Sequence, residues 1–296
     1  MHIGIDIGGS AVKLGGLTAE GQVIGRARLP VSPNMTFAAL IETIAEACRG
    51  VEETAGAAAE GVGAACPGYC DPGTGAVIDG AGNIPCLQGQ SLRAALAQRL
   101  DRPVVVENDG IAAALGEMAH GAGRRLRRFA LITLGTGVGG AVVLEGRVVA
   151  GPRGEPPELG AIVLDASGRP GTLEQFASAL GFLEAYRDAG GGAALTGAEV
   201  AARAEQDQIA ATAADAVAAR IAQACGMFVN ALNLEACLLG GGLTQACPSL
   251  PSRVARHLPR YAWPYLMRRV EVVAAETGTD AGLIGAACRA AEHRSD

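Results

Sequence analysis

Two acids, a lone lysine and three glycine clusters carry the reactive possibilities of this sequence. Asp6-Ile-Gly8-Gly9-Ser10-Ala-Val-Lys13 sets an acid, small turn residues and a cation in one short stretch. An acid at a strand end can hold Mg²⁺ through water, and Gly8 and Gly9 let backbone approach phosphates. Ser10 donates a hydrogen bond and Lys13 offsets phosphate charge. Of the 24 basic residues only Lys13 is a lysine. A general preference for arginine explains the missing lysines but not where the survivor stands.

Gly135-Thr136-Gly137-Val-Gly-Gly140 matches G-x-G-x-x-G, yet a dinucleotide site needs a helix directly after the glycines to receive the pyrophosphate. A β-branched strand follows instead, and no Gly-Lys-Ser or Gly-Lys-Thr exists for a Walker loop. What remains is a turn over residues 135–140 whose backbone N–H groups can form an anion nest. Two opposed glycine hairpins imply a nucleoside triphosphate between two halves. Gly240-Gly241-Gly242, after a buried strand, suits close approach of an adenine or ribose, or serves as a plain turn. Glu107-Asn108-Asp109 ends a strand ahead of a helix, where α/β proteins place reactive groups. Asp109 suits a helix cap, or a base that takes a proton from a substrate hydroxyl as it attacks a γ-phosphate. Cys66, Cys70 and Cys86 form the one metal-like cluster, but three thiolates without a fourth ligand make a poor zinc site.

The elements that must position these groups read as follows. Residues 3–7, 11–17 and 22–29 form an antiparallel meander turned by Gly8-Gly9-Ser10 and Gly21. Residues 37–48 and 92–100 predict amphipathic helices, 61–65 and 104–106 short buried strands, and 111–119 an alanine-rich helix. The opening pattern then recurs: strands at 129–134, 141–144 and 147–149 enclose the second glycine cluster and the Glu145-Gly146 turn. The spacing is about 127 residues, so the chain reads as two related halves. A long helix at 213–232, a strand at 236–239 and a helix at 281–292 complete the pattern. Two α/β domains facing a cleft are the economical architecture.

Composition narrows the class. The chain has 296 residues, 49% hydrophobic, with a formal net charge of -6, which argues against a broad nucleic-acid footprint. Arg124, Arg125, Arg127 and Arg128 read as a solvated loop or helix end. No apolar run reaches membrane-spanning length and the start lacks signal-peptide features, so the expectation is cytoplasmic. The 8 scattered cysteines suit reduced, buried thiols.

Taken together, Asp6-x-Gly-Gly-Ser-x-x-Lys13, Cys66-Pro-Gly68 with Asn83, Glu107-Asn-Asp109, Leu134-Gly-Thr-Gly-Val-Gly-Gly140, Glu158-x-Gly160, Gly171-x-x-Glu174 and Gly240-Gly-Gly242 resemble the ROK family of sugar kinases in order and content. The resemblance runs from residue 3 to about 290. It implies two RNase-H-like domains of the actin and hexokinase type flanking a cleft. The boundaries expected are 1–118 and 119–296, with the helix at about 281–292 packing back on the first domain. It also implies transfer of the ATP γ-phosphate to a hexose hydroxyl, most often the 6-hydroxyl, with Asp109 as base.

By the same resemblance Asn83, Asn108, Asp109, Glu158 and Glu174 bind sugar. Asp6, Gly8, Gly9, Ser10, Lys13, Gly135, Thr136, Gly137 and Gly241 bind ATP, with Mg²⁺ near Asp6, and a homodimer is expected because dimers are usual in similar proteins. Carboxylates and amides suit sugar recognition, because a site built to bond a hydroxyl rejects an analogue lacking it; exposed turn carboxylates are the plainer reading of Glu158 and Glu174. The family's zinc ligands, one His and three Cys, are replaced by Ala161, Asp165, Ser167 and Thr172, which do not rebuild a soft tetrahedral site. No zinc is expected, and Pro170 with Gly168 and Gly171 stiffens the loop instead. Ala161 leaves the sugar open between glucose, with water filling the space, and an N-acetylhexosamine. A sugar-responsive repressor would need a helix-turn-helix ahead of residue 3. A silent sugar sensor and an iron–sulfur ATPase of the same superfamily are the remaining classes.

Overall fold

The computed structural model of the chain describes residues 1–32, 34–165, 168, 170–192 and 194–293. Two compact units divide it: residues 1–121, 148–157 and 280–296, and residues 122–147 and 158–279.

In the first unit, β1 (His2–Ile7), β2 (Ala11–Leu17) and β3 (Val23–Pro30) form the meander and α1 (Phe37–Ala55) follows. Thr36 caps α1 by accepting from Ala39 N–H, and Gly56 ends it in the left-handed region. The helix outruns the expected end at Cys48 because Val51 continues the buried face begun by Leu40, Ile41, Ile44 and Cys48. Next come β4 (Gly61–Cys66), a small pair β5 (Tyr69–Cys70) and β6 (Val77–Asp79), α2 (Leu92–Leu100), β7 (Val104–Asn108) and α3 (Asp109–His120). The sheet order is β3-β2-β1-β4-β7, with β4 and β7 added in parallel. Its core is Ile3, Ile5, Ile7, Val12 and Leu14 against Leu40, Ile44 and Val62.

The C-terminal helix, Ala281–Glu292, belongs to this unit and lies against β1 and α3 at backbone distance. A Cβ on Gly4 would sit 1.8 Å from Leu283 O, and one on Gly285 would sit 1.6 Å from Ala112 O. Small residues are therefore what lets this helix cover the sheet.

The second unit repeats the plan. β8 (Phe129–Leu134), β9 (Val138–Leu144) and β10 (Arg147–Val148) form its meander. A hairpin of β11 (Val163–Asp165) and β12 (Pro170–Thr172) leads into α4 (Leu173–Ala177), α5 (Ala179–Asp188), α6 (Gly197–Arg203) and α7 (Gln208–Leu232). β13 (Ala236–Gly240), α8 (Gly242–Ala246), α9 (Leu250–His257) and β14 (Glu271–Ala274) close it. The order β10-β9-β8-β13-β14 is that of the first sheet, strand for strand. The β11–β12 hairpin, α4, α6 and β14 are too short for a period to stand out in the sequence, whereas α5 (Phe182, Tyr186) and α9 (Leu250, Val254) carry a buried apolar face that the sequence reading passed over. Half of the buried residues of α7 are alanine, with Val217, Ile221, Phe228 and Val229 filling in.

Candidate functional site

In the first unit the Asp6–Lys13 hairpin closes through Gly8 N–H donating to Ala11 O at 3.0 Å. Lys13 Nζ stands 3.5 Å from Asp6 Oδ2, with both side chains partly open to solvent. Burial pushes the Asp6 carboxyl above its ordinary range; Lys13 pulls it down and Asp280 adds to the rise. Asn83 is exposed and borders the turn: a Cβ on Gly9 would lie 3.0 Å from the Asn83 Cβ. Sequence positions more than seventy residues apart are thus brought together.

Asp6 is opposite Ala65, and Ala65 opposite Glu107. The first glycine turn and Asn108-Asp109 therefore leave the same edge of the sheet, two strand spacings or about 10 Å apart. Asn108, not Asp109, is the helix cap: its Oδ1 accepts from Ile111 N–H at 3.0 Å. Its Nδ2 donates to Gly68 O at 3.0 Å and to Asp109 Oδ1 at 3.1 Å. Gly110 N–H also donates to Asp109 Oδ1, at 2.8 Å. The cap reading of Asp109 fails because its neighbour's amide, buried against the Gly68 loop, reaches the N3 position first. Asp109 is left exposed in the first helical turn, with one oxygen anchored by two donors. Its place there is favourable for a carboxylate.

Glu107 is half-buried, its Oε1 accepting from Asn108 N–H at 3.0 Å; burial raises its carboxyl, against Asn108 N–H and Arg289, which lower it. Contact with Cys70, then burial, holds the Cys66 thiol well above its ordinary range. No group of three or more His, Cys, Asp and Glu able to hold a metal occurs among the described residues, Cys66, Cys70 and Cys86 included.

In the second unit the glycine turn is shorter than the sequence suggests. Leu134 pairs with Val138, Thr133 with Gly139 and Ile132 with Gly140, so only Gly135-Thr136-Gly137 turns. Gly139 and Gly140 are strand residues, and Gly140 is needed where a Cβ would meet Leu131 O at 2.0 Å. Gly241, at φ 86°, lies against the base of this turn, where a Cβ would be 2.3 Å from Leu134 O. The second and third glycine clusters therefore meet.

Glu158 and Glu174 both border β9. Gly160 permits this, since a Cβ there would lie 2.2 Å from Val138 O. Glu158 is exposed and makes no side-chain cap bond. Glu174 Oε2 accepts from Val138 N–H at 2.9 Å, a partner that sequence reading missed. Arg127 and Arg128 pair with Glu145 at 3.0 and 2.5 Å, and Arg124 faces Glu276 at 3.5 Å.

The profile described as "ROK family" matches residues 2–293. The glucokinase of Halalkalibacterium halodurans is 31% identical, over 96% of this chain and 93% of its own. The chain belongs to the ROK family. Within the family, an N-acetyl-D-glucosamine kinase of Salmonella paratyphi C is 27% identical over 97% of this chain and 98% of its own. A ROK family glucokinase from Streptomyces griseus, solved in complex with glucose and AMPPNP, matches at TM-score 0.85 and 27% identity, covering 98% of this chain and 99% of that one.

The loop in which this ROK chain departs from its family's ligand pattern has its own bonding. Asp165 Oδ1 accepts from Gly168 N–H at 2.7 Å, and Thr172 caps α4 in a reciprocal box with Gln175. Ladder pairs Val163 with Thr172 and Asp165 with Pro170 join the two sides. Ala161 is exposed, and Ser167 lies outside the described residues. The sequence signal for the cap was available: Thr172-x-x-Gln175 is a capping-box spacing.

Proposed function

We propose that the chain is an ATP-dependent sugar kinase that transfers the γ-phosphate to a hexose hydroxyl, with the 6-hydroxyl of glucose first in line. The observation that carries this is Asp109: an exposed carboxylate at a sheet edge, aimed by Asn108 Nδ2 and Gly110 N–H, in a chain 31% identical to a glucokinase. In this reading Asp109 takes the proton from the sugar hydroxyl as its oxygen attacks phosphorus, and ADP leaves. Asn83, Asn108, Glu158 and Glu174 are assigned to the sugar. Asn108 acts there mainly by holding Asp109, since both its amide protons are already used.

Asp6, Gly8, Gly9, Ser10 and Lys13 in one unit, and Gly135, Thr136, Gly137 and Gly241 in the other, are assigned to ATP. A single carboxylate oxygen donor beside a glycine turn fits magnesium, which keeps waters and phosphate ligands rather than a protein cage. Asp6 would hold it through water, and its chemistry there is neutralisation of charge on the β- and γ-phosphates. Zinc is not assigned to the 161–174 loop: alanine offers no ligand at 161, while Asp165 and Thr172 are occupied with backbone N–H groups.

A second reading, an N-acetylhexosamine substrate, is favoured by the small exposed Ala161 and by likeness to the Salmonella kinase. A homodimer is the expectation from similar proteins, and exposed Trp263 and Tyr265, whose ring centroids lie 5.1 Å apart, offer it an apolar surface. The eight free cysteines fit a reducing, cytoplasmic setting. No helix among the described residues is long and apolar enough to cross a membrane.

A coupled ADP-release assay over glucose, fructose, mannose, N-acetylglucosamine and N-acetylmannosamine tests the assignment. One preferred sugar is expected, with kcat falling about 10²- to 10⁴-fold in Asp109→Ala. Equal turnover in both proteins would remove Asp109 as base, and sugar binding without turnover would make the chain a sensor.

A further inference from the structure

Helix α4 touches the second glycine hairpin at both ends. Glu174, in its first turn, accepts from Val138 N–H at 2.9 Å on the outgoing strand. Ala179 N–H, just past its last turn, donates to Gly135 O at 2.8 Å on the incoming side. Gly137 is needed between them, because a Cβ there would lie 2.6 Å from Glu174 Oε2 and expel the carboxylate. The helix is itself fixed in direction. Thr172 Oγ1 accepts from Gln175 N–H at 3.2 Å, Gln175 Oε1 accepts from Thr172 N–H at 2.8 Å, and Leu173 N–H donates to Ile162 O at 2.8 Å. That last bond ties α4 to the turn that follows Glu158. Among the described residues Glu174 Oε1 has no hydrogen-bond partner, so one oxygen of the carboxylate braces the hairpin and the other faces outward for a ligand.

We propose that Glu174 is a positioning residue for the Gly135–Gly137 hairpin as well as a sugar ligand, and that it thereby couples sugar binding to nucleotide binding. The proposal rests on the assignment of this hairpin to ATP and of Glu174 to the sugar. A sugar hydroxyl held at Oε1 restricts the carboxylate to the rotamer in which Oε2 meets Val138 N–H, so the hairpin is ordered before the phosphates arrive. Linkage makes the effect reciprocal: a nucleotide that orders the hairpin tightens sugar binding by the same factor.

Calorimetry with the non-hydrolysable ATP analogue AMPPNP, with and without saturating glucose, reads the coupling. Hydrogen exchange of the peptide covering residues 135–140 reads the brace without any need for turnover. In the unaltered protein, glucose should tighten AMPPNP about five- to fiftyfold. In Glu174→Ala and Thr172→Ala that factor should fall to within about twofold of unity, and the 135–140 amides should exchange faster. Thr172→Ser, which keeps the cap oxygen, should retain both properties. Unchanged exchange in a folded Glu174→Ala, or a rise in sugar KM alone with AMPPNP coupling intact, would overturn the proposal and leave Glu174 a simple sugar ligand. Faster exchange in Glu174→Ala together with no sugar binding or turnover in the unaltered protein would overturn both the coupling and the kinase assignment, while the brace itself would stand.

Discussion

Asn108 and Asp109 divide two jobs that local sequence offers to one residue. The amide caps α3 and reaches the Gly68 carbonyl, while the carboxylate beside it is held but exposed. Asn108→Ala should therefore lower stability by about 0.5–2 kcal/mol through the lost cap and also lower kcat, because Asp109 loses one of its two anchoring donors. A urea midpoint and steady-state kinetics on one preparation separate these effects. Asn108→Asp, which keeps a cap acceptor but loses the donors to Gly68 and Asp109, should recover stability more than kcat.

Glu107, next in the chain, gives a pH prediction of definite sign. Burial raises its carboxyl, so the folded protein holds that proton more tightly than the unfolded chain does. Its contribution is fully present below the ordinary carboxylate range and is lost as pH rises through the raised value. Glu107→Gln should accordingly compare more favourably with the unaltered protein at pH 8 than at pH 5 in thermal unfolding. The opposite trend would show that Arg289 outweighs burial.

At the scale of elements, glycine decides which segments meet. The C-terminal helix reaches β1 and α3 only because Gly4, Gly116 and Gly285 bring backbone against backbone. Gly285→Ala places a methyl 1.6 Å from Ala112 O, too close for any rotamer change to relieve. A loss of at least about 1–3 kcal/mol is expected, read as a lower unfolding midpoint and faster proteolysis near residues 281–292. A surface glycine with no neighbour within 4 Å, such as Gly50, is the matched control, where Ala should be neutral or mildly stabilising. The 161–174 loop follows a different rule. Its described residues form a strand pair, an aspartate-closed turn and a capped helix, held by oxygen and nitrogen groups. Protein purified without added zinc should hold only substoichiometric zinc, and chelators that spare magnesium should leave activity and melting temperature unchanged. Stoichiometric zinc, or unfolding on chelation, would show that the loop is a metal site after all.

For the whole molecule, two sheets of one strand order, β3-β2-β1-β4-β7 and β10-β9-β8-β13-β14, bear out the reading of two related halves. That duplication was legible because strand alternation and glycine turns are local signals, repeated at a fixed distance along the chain. β8 ends where its apolar run ends, while α2, with only Leu92 and Leu96 buried, takes its bounds from the Ser91 cap and the left-handed Asp101 rather than from an amphipathic period. Short elements such as α4 and β14 were not legible, since five or four residues contain too few periods to stand out. The sequence by itself determined the two glycine-turned meanders, the family, and the residue types available for phosphate and hydroxyl chemistry. Only the tertiary structure decided that Asn108 rather than Asp109 is the cap, that the second turn is three residues rather than six, and that Glu174 meets Val138 across 36 positions. Each of those outcomes depends on a hydrogen bond between segments whose separation is set by backbone close approach, and no local pattern of side chains encodes that distance.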